Sequence, residues 1–136
     1  MKKINVIDIG CRYGVFDLFK KNIQNINYYG IDADEKEIKR LKKKFYSKKN
    51  IKFFHGCLDD NSSKKIFNEY EHKGYNSTKE INEKSFWFQV LRKKEKKIIS
   101  KKLLKFIKSE TFFIKHKIPI KHILKLDVEG QELEII

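Results

Sequence analysis

Proline is nearly absent from this chain. Pro119 is the single one in 136 residues, and no repeat, linker or low-complexity block divides the sequence, so one ordinary domain is expected. Cysteine is scarce as well. Cys11 and Cys57 form no metal-type pair, and two lone thiols fit a reducing compartment. No segment approaches the ~20 apolar residues that a membrane-spanning helix needs. The first apolar run is broken at Asp8, too early for a signal-peptide core. A soluble, cytoplasmic protein is the expectation. Acids are the minority charge, 18 against 32 Lys and Arg, for a formal net charge of +14. That balance suits an anionic partner such as nucleic acid or a membrane surface. The lysines, however, are spread along the chain, which favours a solvated lysine-rich surface. Only Lys42-Lys43-Lys44 and Arg92-Lys93-Lys94 with Lys96-Lys97 are dense.

What is present is a core-forming composition, 40% apolar and 13% aromatic, outside the disordered range. Short β-branched runs end in turn chemistry. Ile4 to Ile9 runs into Gly10-Cys11-Arg12-Tyr13-Gly14. Asn27 to Ile31 stops at Asp32-Ala33-Asp34, and Ile51 to His55 at Gly56-Cys57-Leu58-Asp59-Asp60. Helical spacing fills the intervals. Val15, Leu18, Phe19 and Ile23 predict a helix from Gly14 to about Gln24. Ile38, Leu41 and Phe45 predict a second, with Asp34 as N-cap and Glu37 completing a capping-box pattern. Strand-helix-strand-helix-strand with short connections predicts an α/β, Rossmann-like parallel sheet with right-handed crossovers.

Residues 61–100 read as a β-rich insertion, with strands at 65–70 and 86–91 around a polar loop at 74–78. Phe86, Trp87 and Phe88 suit an apolar insertion strand, or a cover over a ligand. Ser100 is a plausible N-cap for a helix carrying Leu103, Leu104, Ile107, Phe113 and Ile114, ended by Pro119. A fourth parallel strand, Ile123 to Leu126, runs into Asp127-Val128-Glu129-Gly130. Gln131 to Ile136 reads as the start of a helix.

Ligands of open α/β sheets bind beyond the carboxyl ends of the strands. Gly10 and Gly14 bracket a loop that lets backbone approach a ligand, but Arg12 and Val15 stand where a dinucleotide fingerprint needs glycine. Asp32, at the tip of strand two, is placed to accept ribose hydroxyls. Asp59 is a candidate partner for an adenine amino group, with Leu58 packed on the ring; an ordinary polar turn is the other reading. A nucleoside without a pyrophosphate suggests S-adenosylmethionine. The histidines, His55, His72, His116 and His122, show no ligand spacing.

Three stretches then carry a resemblance. Asp8-Ile-Gly10-Cys-Arg-Tyr-Gly14 and Gly30-Ile-Asp32 are general to the class I methyltransferase fold. Leu124-Lys-Leu-Asp127-Val-Glu129-Gly130-Gln-Glu132-Leu133-Glu134 resembles, more specifically, the FkbM-type methyltransferase family. The resemblance implies an S-adenosylmethionine-dependent transferase acting on oxygen of a sugar, lipid or natural product. It implies that Asp8, Gly10 and Gly14, with Cys11 and Arg12 in the same loop, shape the methionine end. Asp32 and Ala33 take the ribose, Leu58 and Asp59 the adenine, and Asp127 and Glu129 face the methyl group and acceptor. Asp127, Glu129 or His122 is the candidate base. Asp127 and Glu129 could instead hydrogen-bond the next loop or bind a divalent cation; no metal is assigned. The class I sheet order 3-2-1-4-5-7-6 would be cut here to 3-2-1-4, leaving Ile123 to Leu126 an exposed edge. Either the sequence is a fragment truncated after this strand, or a partner strand in a homo-oligomer or the insertion covers that edge. The alternative function is a basic, non-catalytic Rossmann-like module that binds nucleic acid or works inside an oligomer.

Overall fold

A computed structural model describes residues 3–80, 84, 90, 97–119, 122–128 and 132–135. In chain order its elements are β1 (Ile4–Ile9), α1 (Asp17–Lys20), a 3-10 turn (Ile23–Asn25), β2 (Ile26–Asp32), α2 (Glu35–Lys44), β3 (Ile51–His55), β4 (Cys57–Asp59) and β5 (Ser63–Tyr70). A second 3-10 turn (Lys73–Tyr75), β6 (Ile98–Lys108), α3 (Ser109–Lys115), β7 (Ile123–Leu126) and α4 (Glu132–Ile135) follow.

Successive strand residues point to opposite faces, so a strand buried at every position must be covered on both sides. β1 is buried from Val6 to Ile9. One face packs Val6, Val15, Phe19, Tyr28, Ile38, Leu41 and Phe53. The other packs Ile7, Ile9, Ile31, Leu58, Phe112 and Ile118. The sheet is four-stranded and parallel throughout, in the order β3-β2-β1-β7. This is the expected α/β, Rossmann-like arrangement. β7 pairs with β1 alone among the described residues, and its Ile123 is exposed. No helix among the described residues is long and apolar enough to cross a membrane.

α2 forms where its ends are satisfied. The Asp34 side chain accepts from the N–H groups of Lys36 (3.0 Å) and Glu37 (3.2 Å). Acids stand in its first turn and Lys42 to Lys44 in its last, matching the helix dipole. Glu37 does not reach back to complete the box; its carboxylate pairs with Arg40 at 2.7 Å.

Two helical expectations are corrected. The helix expected over 14–24 is one turn plus a 3-10 turn. Phe16 stands at its N-cap without a side-chain acceptor; Val15, Phe19 and Ile23 still pack on one core cluster, but Leu18 faces solvent. The helix expected from Ser100 starts at Ser109, because 98–108 is a long strand. Leu103, Leu104 and Ile107 fit helical spacing, but antiparallel pairing with β5 along nearly its whole length decides the matter. α3 stops at His116, before Pro119, and Lys117 turns the chain with φ +52°.

β5 and β6 with β4 make a second sheet in the order β4-β6-β5, β4 parallel and β5 antiparallel to β6. The partner of β5 is therefore 98–108. The strand expected at 86–91 lies outside the described residues apart from Val90, and with it Phe86, Trp87 and Phe88.

Candidate functional site

β1, β2 and β7 end at the same side of the parallel sheet, and a cleft opens there. It encloses about 780 Å³ including its open mouth. Of the residues singled out in the sequence, Gly10, Arg12, Asp32, Ala33, Leu58 and Asp127 line it. The insertion sheet supplies Phe67 and Phe106, and Asn76 follows the second 3-10 turn. These three carried no signal in the sequence, because only the pairing of β4 with β6 swings the ribbon over the parallel strands.

The loop after β1 is held from both sides. Gly10 N–H donates to the Ile31 carbonyl at 2.8 Å, and Asp127 N–H donates to the Ile9 carbonyl at 3.0 Å. Gly10 has φ +86° and no room for a side chain, since a Cβ there would lie 2.0 Å from the Asp127 carbonyl oxygen. The loop and the tip of β7 thus touch through backbone. Arg12 closes the cleft on its other side, where its guanidinium donates to the Lys73 carbonyl in the insertion.

Asp32 is almost wholly buried at the end of β2. One carboxylate oxygen accepts from Asp34 N–H at 2.8 Å, a turn-forming role beside its place in the cleft. Burial raises its carboxyl above the usual value. Hydrogen bonds from the Asp34 and Arg12 backbone and the Arg12 charge pull the other way. Asp127 is exposed, with Lys125 Nζ 3.5 Å from its carboxylate.

Asp8 does not line the cleft. It is buried beneath it, accepting from Tyr28 Oη at 2.5 Å and from Lys125 Nζ at 3.1 Å. Burial, and then the Asp8 charge, push the Tyr28 phenol up, so it remains a neutral donor. Lys125 therefore ties buried Asp8 to Asp127 at the rim. Asp59 does not line the cleft either. It is fully buried, with Lys65 Nζ 2.5 Å and Ser63 Oγ 3.3 Å from one oxygen and no hydrogen-bond partner on the other among the described residues. Gly14 faces α2, its nearest neighbour being Leu41. Cys11 is buried beside Gly30. Glu129 lies outside the described residues.

His122 is corrected as a candidate base. It precedes β7, at the opposite end of the sheet from Asp127. Its Nδ1 accepts from Asn5 N–H at 3.0 Å, and its backbone N–H donates to the Asn5 carbonyl. Among the described residues no three His, Cys, Asp or Glu come together as a metal-holding group.

Both thiols are inert by environment. Burial, with the Asp32 charge, pushes Cys57 up to about 11. Burial first, then Asp32 and Asp8, push Cys11 up further. Neither thiol is expected to react with a disulfide reagent at about pH 8 in the folded protein, and both should react once denaturant is added. Rapid modification of either under native conditions would contradict this packing.

No protein-family model, curated protein or solved structure matches the chain. The functional reading therefore stands on the cleft itself.

Proposed function

We propose that the cleft binds S-adenosylmethionine and that the protein transfers its methyl group, with a hydroxyl of a sugar, lipid or natural product as acceptor. The observation that carries this reading is the meeting of Asp32 and Asp127, from the tips of β2 and β7, in one cleft with the Gly10 loop and Leu58. The residues suit the cofactor. A carboxylate offers about four acceptor sites, and the Asp34 and Arg12 N–H groups leave Asp32 capacity for a ribose diol. Leu58, Phe67 and Phe106 offer apolar surface to a base, and Gly10 and Arg12 border the space left for the methionyl part.

The bound cofactor supplies an electrophilic methyl group on a good leaving group, so catalysis by the protein is chiefly positioning. Asp127 is the candidate to orient the acceptor hydroxyl and take its proton. Lys125 steadies Asp127 from below; Asp8 holds Lys125 in turn, and the Tyr28 hydroxyl holds Asp8. Asp8 thereby supports the site without touching the cofactor.

Titration calorimetry with S-adenosylmethionine tests the reading. The wild-type protein is expected to bind saturably. Asp32→Ala, which removes two hydrogen bonds to a charged acceptor, is expected to weaken binding on the order of 100-fold. No heat from a folded, soluble wild-type protein, or equal affinity in Asp32→Ala, would end it.

A further inference from the structure

Residues directly opposite in an antiparallel pair share a face. The register of β5 with β6 puts Ser63 with Phe106, Lys65 with Leu104 and Phe67 with Lys102 on one face. That face is committed inward. Phe67 and Phe106 line the cleft, Lys65 is paired with Asp59 and Lys102 with Glu69. The reverse face sets Lys64 against Lys105, Ile66 against Leu103 and Asn68 against Lys101. Here Lys64, Ile66, Lys101, Leu103 and Lys105 are all exposed, Ile66 at 56% and Leu103 at 65%. The exposed stretch ends at Asn68, which is buried.

Two features of this face are unfavourable in the free protein. Lys64 and Lys105 are like charges directly opposed across the ladder, and neither has an ion-pair partner among the described residues. Beside them an aliphatic pair stands in water. A partner that is anionic at its surface and apolar just beneath relieves both. We propose that the outer face of the β5–β6 ribbon docks on an anionic lipid bilayer, with Lys64 and Lys105 at the headgroups and Ile66 and Leu103 in the acyl boundary; Lys101 on the same face is paired with Glu80 at 3.4 Å. This composition, basic residues around a small apolar centre, is that of interfacial anchors. A second copy of the chain fits worse, because a formal net charge of +14 on each copy repels the other. Nucleic acid fits worse too. Among the described residues the face presents no aromatic ring on which a base could stack, and its aliphatic pair would lie idle against phosphates. The cleft lies against the opposite face of the ribbon, the one that carries Phe67 and Phe106, so docking does not block it. This inference is independent of what the cleft binds.

Co-sedimentation of the full chain with phosphatidylcholine vesicles, with and without about one-third phosphatidylglycerol, tests it. Binding is expected only to the anionic vesicles and is expected to fall as salt screens the headgroup charge. Lys64→Glu/Lys105→Glu should weaken it at least about tenfold. Ile66→Ser/Leu103→Ser should weaken it several-fold while keeping the salt dependence, with circular dichroism confirming the fold of both variants. Equal partition to neutral and anionic vesicles, no partition at low salt, or wild-type affinity in either folded variant would overturn the proposal. So would retention on single-stranded RNA that displaces the vesicles and is unchanged by Ile66→Ser/Leu103→Ser, which would assign the face to nucleic acid.

Discussion

Gly10→Ala is expected to destabilise the protein by about 3 kcal/mol or more, a large part of the ~5–15 kcal/mol that holds an ordinary domain folded. Two costs add. At φ +86° a side chain is strained by about 1–2 kcal/mol. The new Cβ would also fall 2.0 Å from the Asp127 carbonyl oxygen and 2.8 Å from its carbon. Those are backbone atoms, fixed by the bond from Asp127 N–H to Ile9, while Gly10 is fixed by its own bond to Ile31. Neither side can yield without parting β7 from β1. Gly14→Ala is the control. Its φ is also positive, at +94°, but the nearest atom is the flexible end of Leu41 at 3.1 Å, so the cost should be nearer 1 kcal/mol. Denaturant unfolding measures both. A Gly10→Ala variant within about 1 kcal/mol of wild type would refute the contact between the β1 loop and the tip of β7. That contact also sets the distance between the walls of the cleft.

Lys65→Met should be the second large effect. It keeps most of the side-chain stem and removes the ammonium that neutralises fully buried Asp59 at 2.5 Å. Breaking a buried pair on one side costs about 3–5 kcal/mol. About a third of the Lys65 side chain remains exposed, which puts the expectation at the low end. The unpartnered second oxygen of Asp59 offers no compensation. A fall in Tm on the order of 10 °C follows for a domain of this size. Asp59→Leu/Lys65→Met, which removes both charges, should recover stability to within about 1–2 kcal/mol of wild type. If the single variant is as stable as wild type, Asp59 is not held as described. If the double variant is no better than the single, the loss is one of packing rather than of charge.

The same two residues show how far the sequence could be read. Asp59 follows β3 in a turn-rich stretch, where an acid at a strand tip is a fair candidate for a ligand contact. The structure continues that stretch as β4 and pairs it with β6, and Asp59 turns inward to Lys65. Asp8 behaves alike, drawn down to Tyr28 and Lys125. Tyr28 and Lys125 lie 20 and 117 positions from Asp8, so no local pattern could reveal them. Lys65 is near Asp59 in sequence, but only the pairing of β4 and β5 with β6 turns the two together. Asp34 was legible for the opposite reason, since the N–H groups it caps lie two and three residues away. In β6, Leu103, Leu104 and Ile107 satisfy helical spacing, and the residues that overrule it are those of β5, more than thirty positions before Leu103 and Leu104.

The sequence by itself determined the short apolar runs that become β1, β2, β3 and β7, the turns that end them, the cap on α2, and the presence of acids at strand tips. These depend on neighbours within about four residues, where backbone sterics and local hydrogen bonding decide. Only the tertiary structure decided which acids reach the cleft. Asp32 and Asp127 border it while Asp8 and Asp59 are buried with lysines, and His122 stands at the far end of the sheet. The direction of a side chain matters only relative to what covers each face, and those covers, the β5–β6 ribbon, α3 and the strand next door, come from distant parts of the chain.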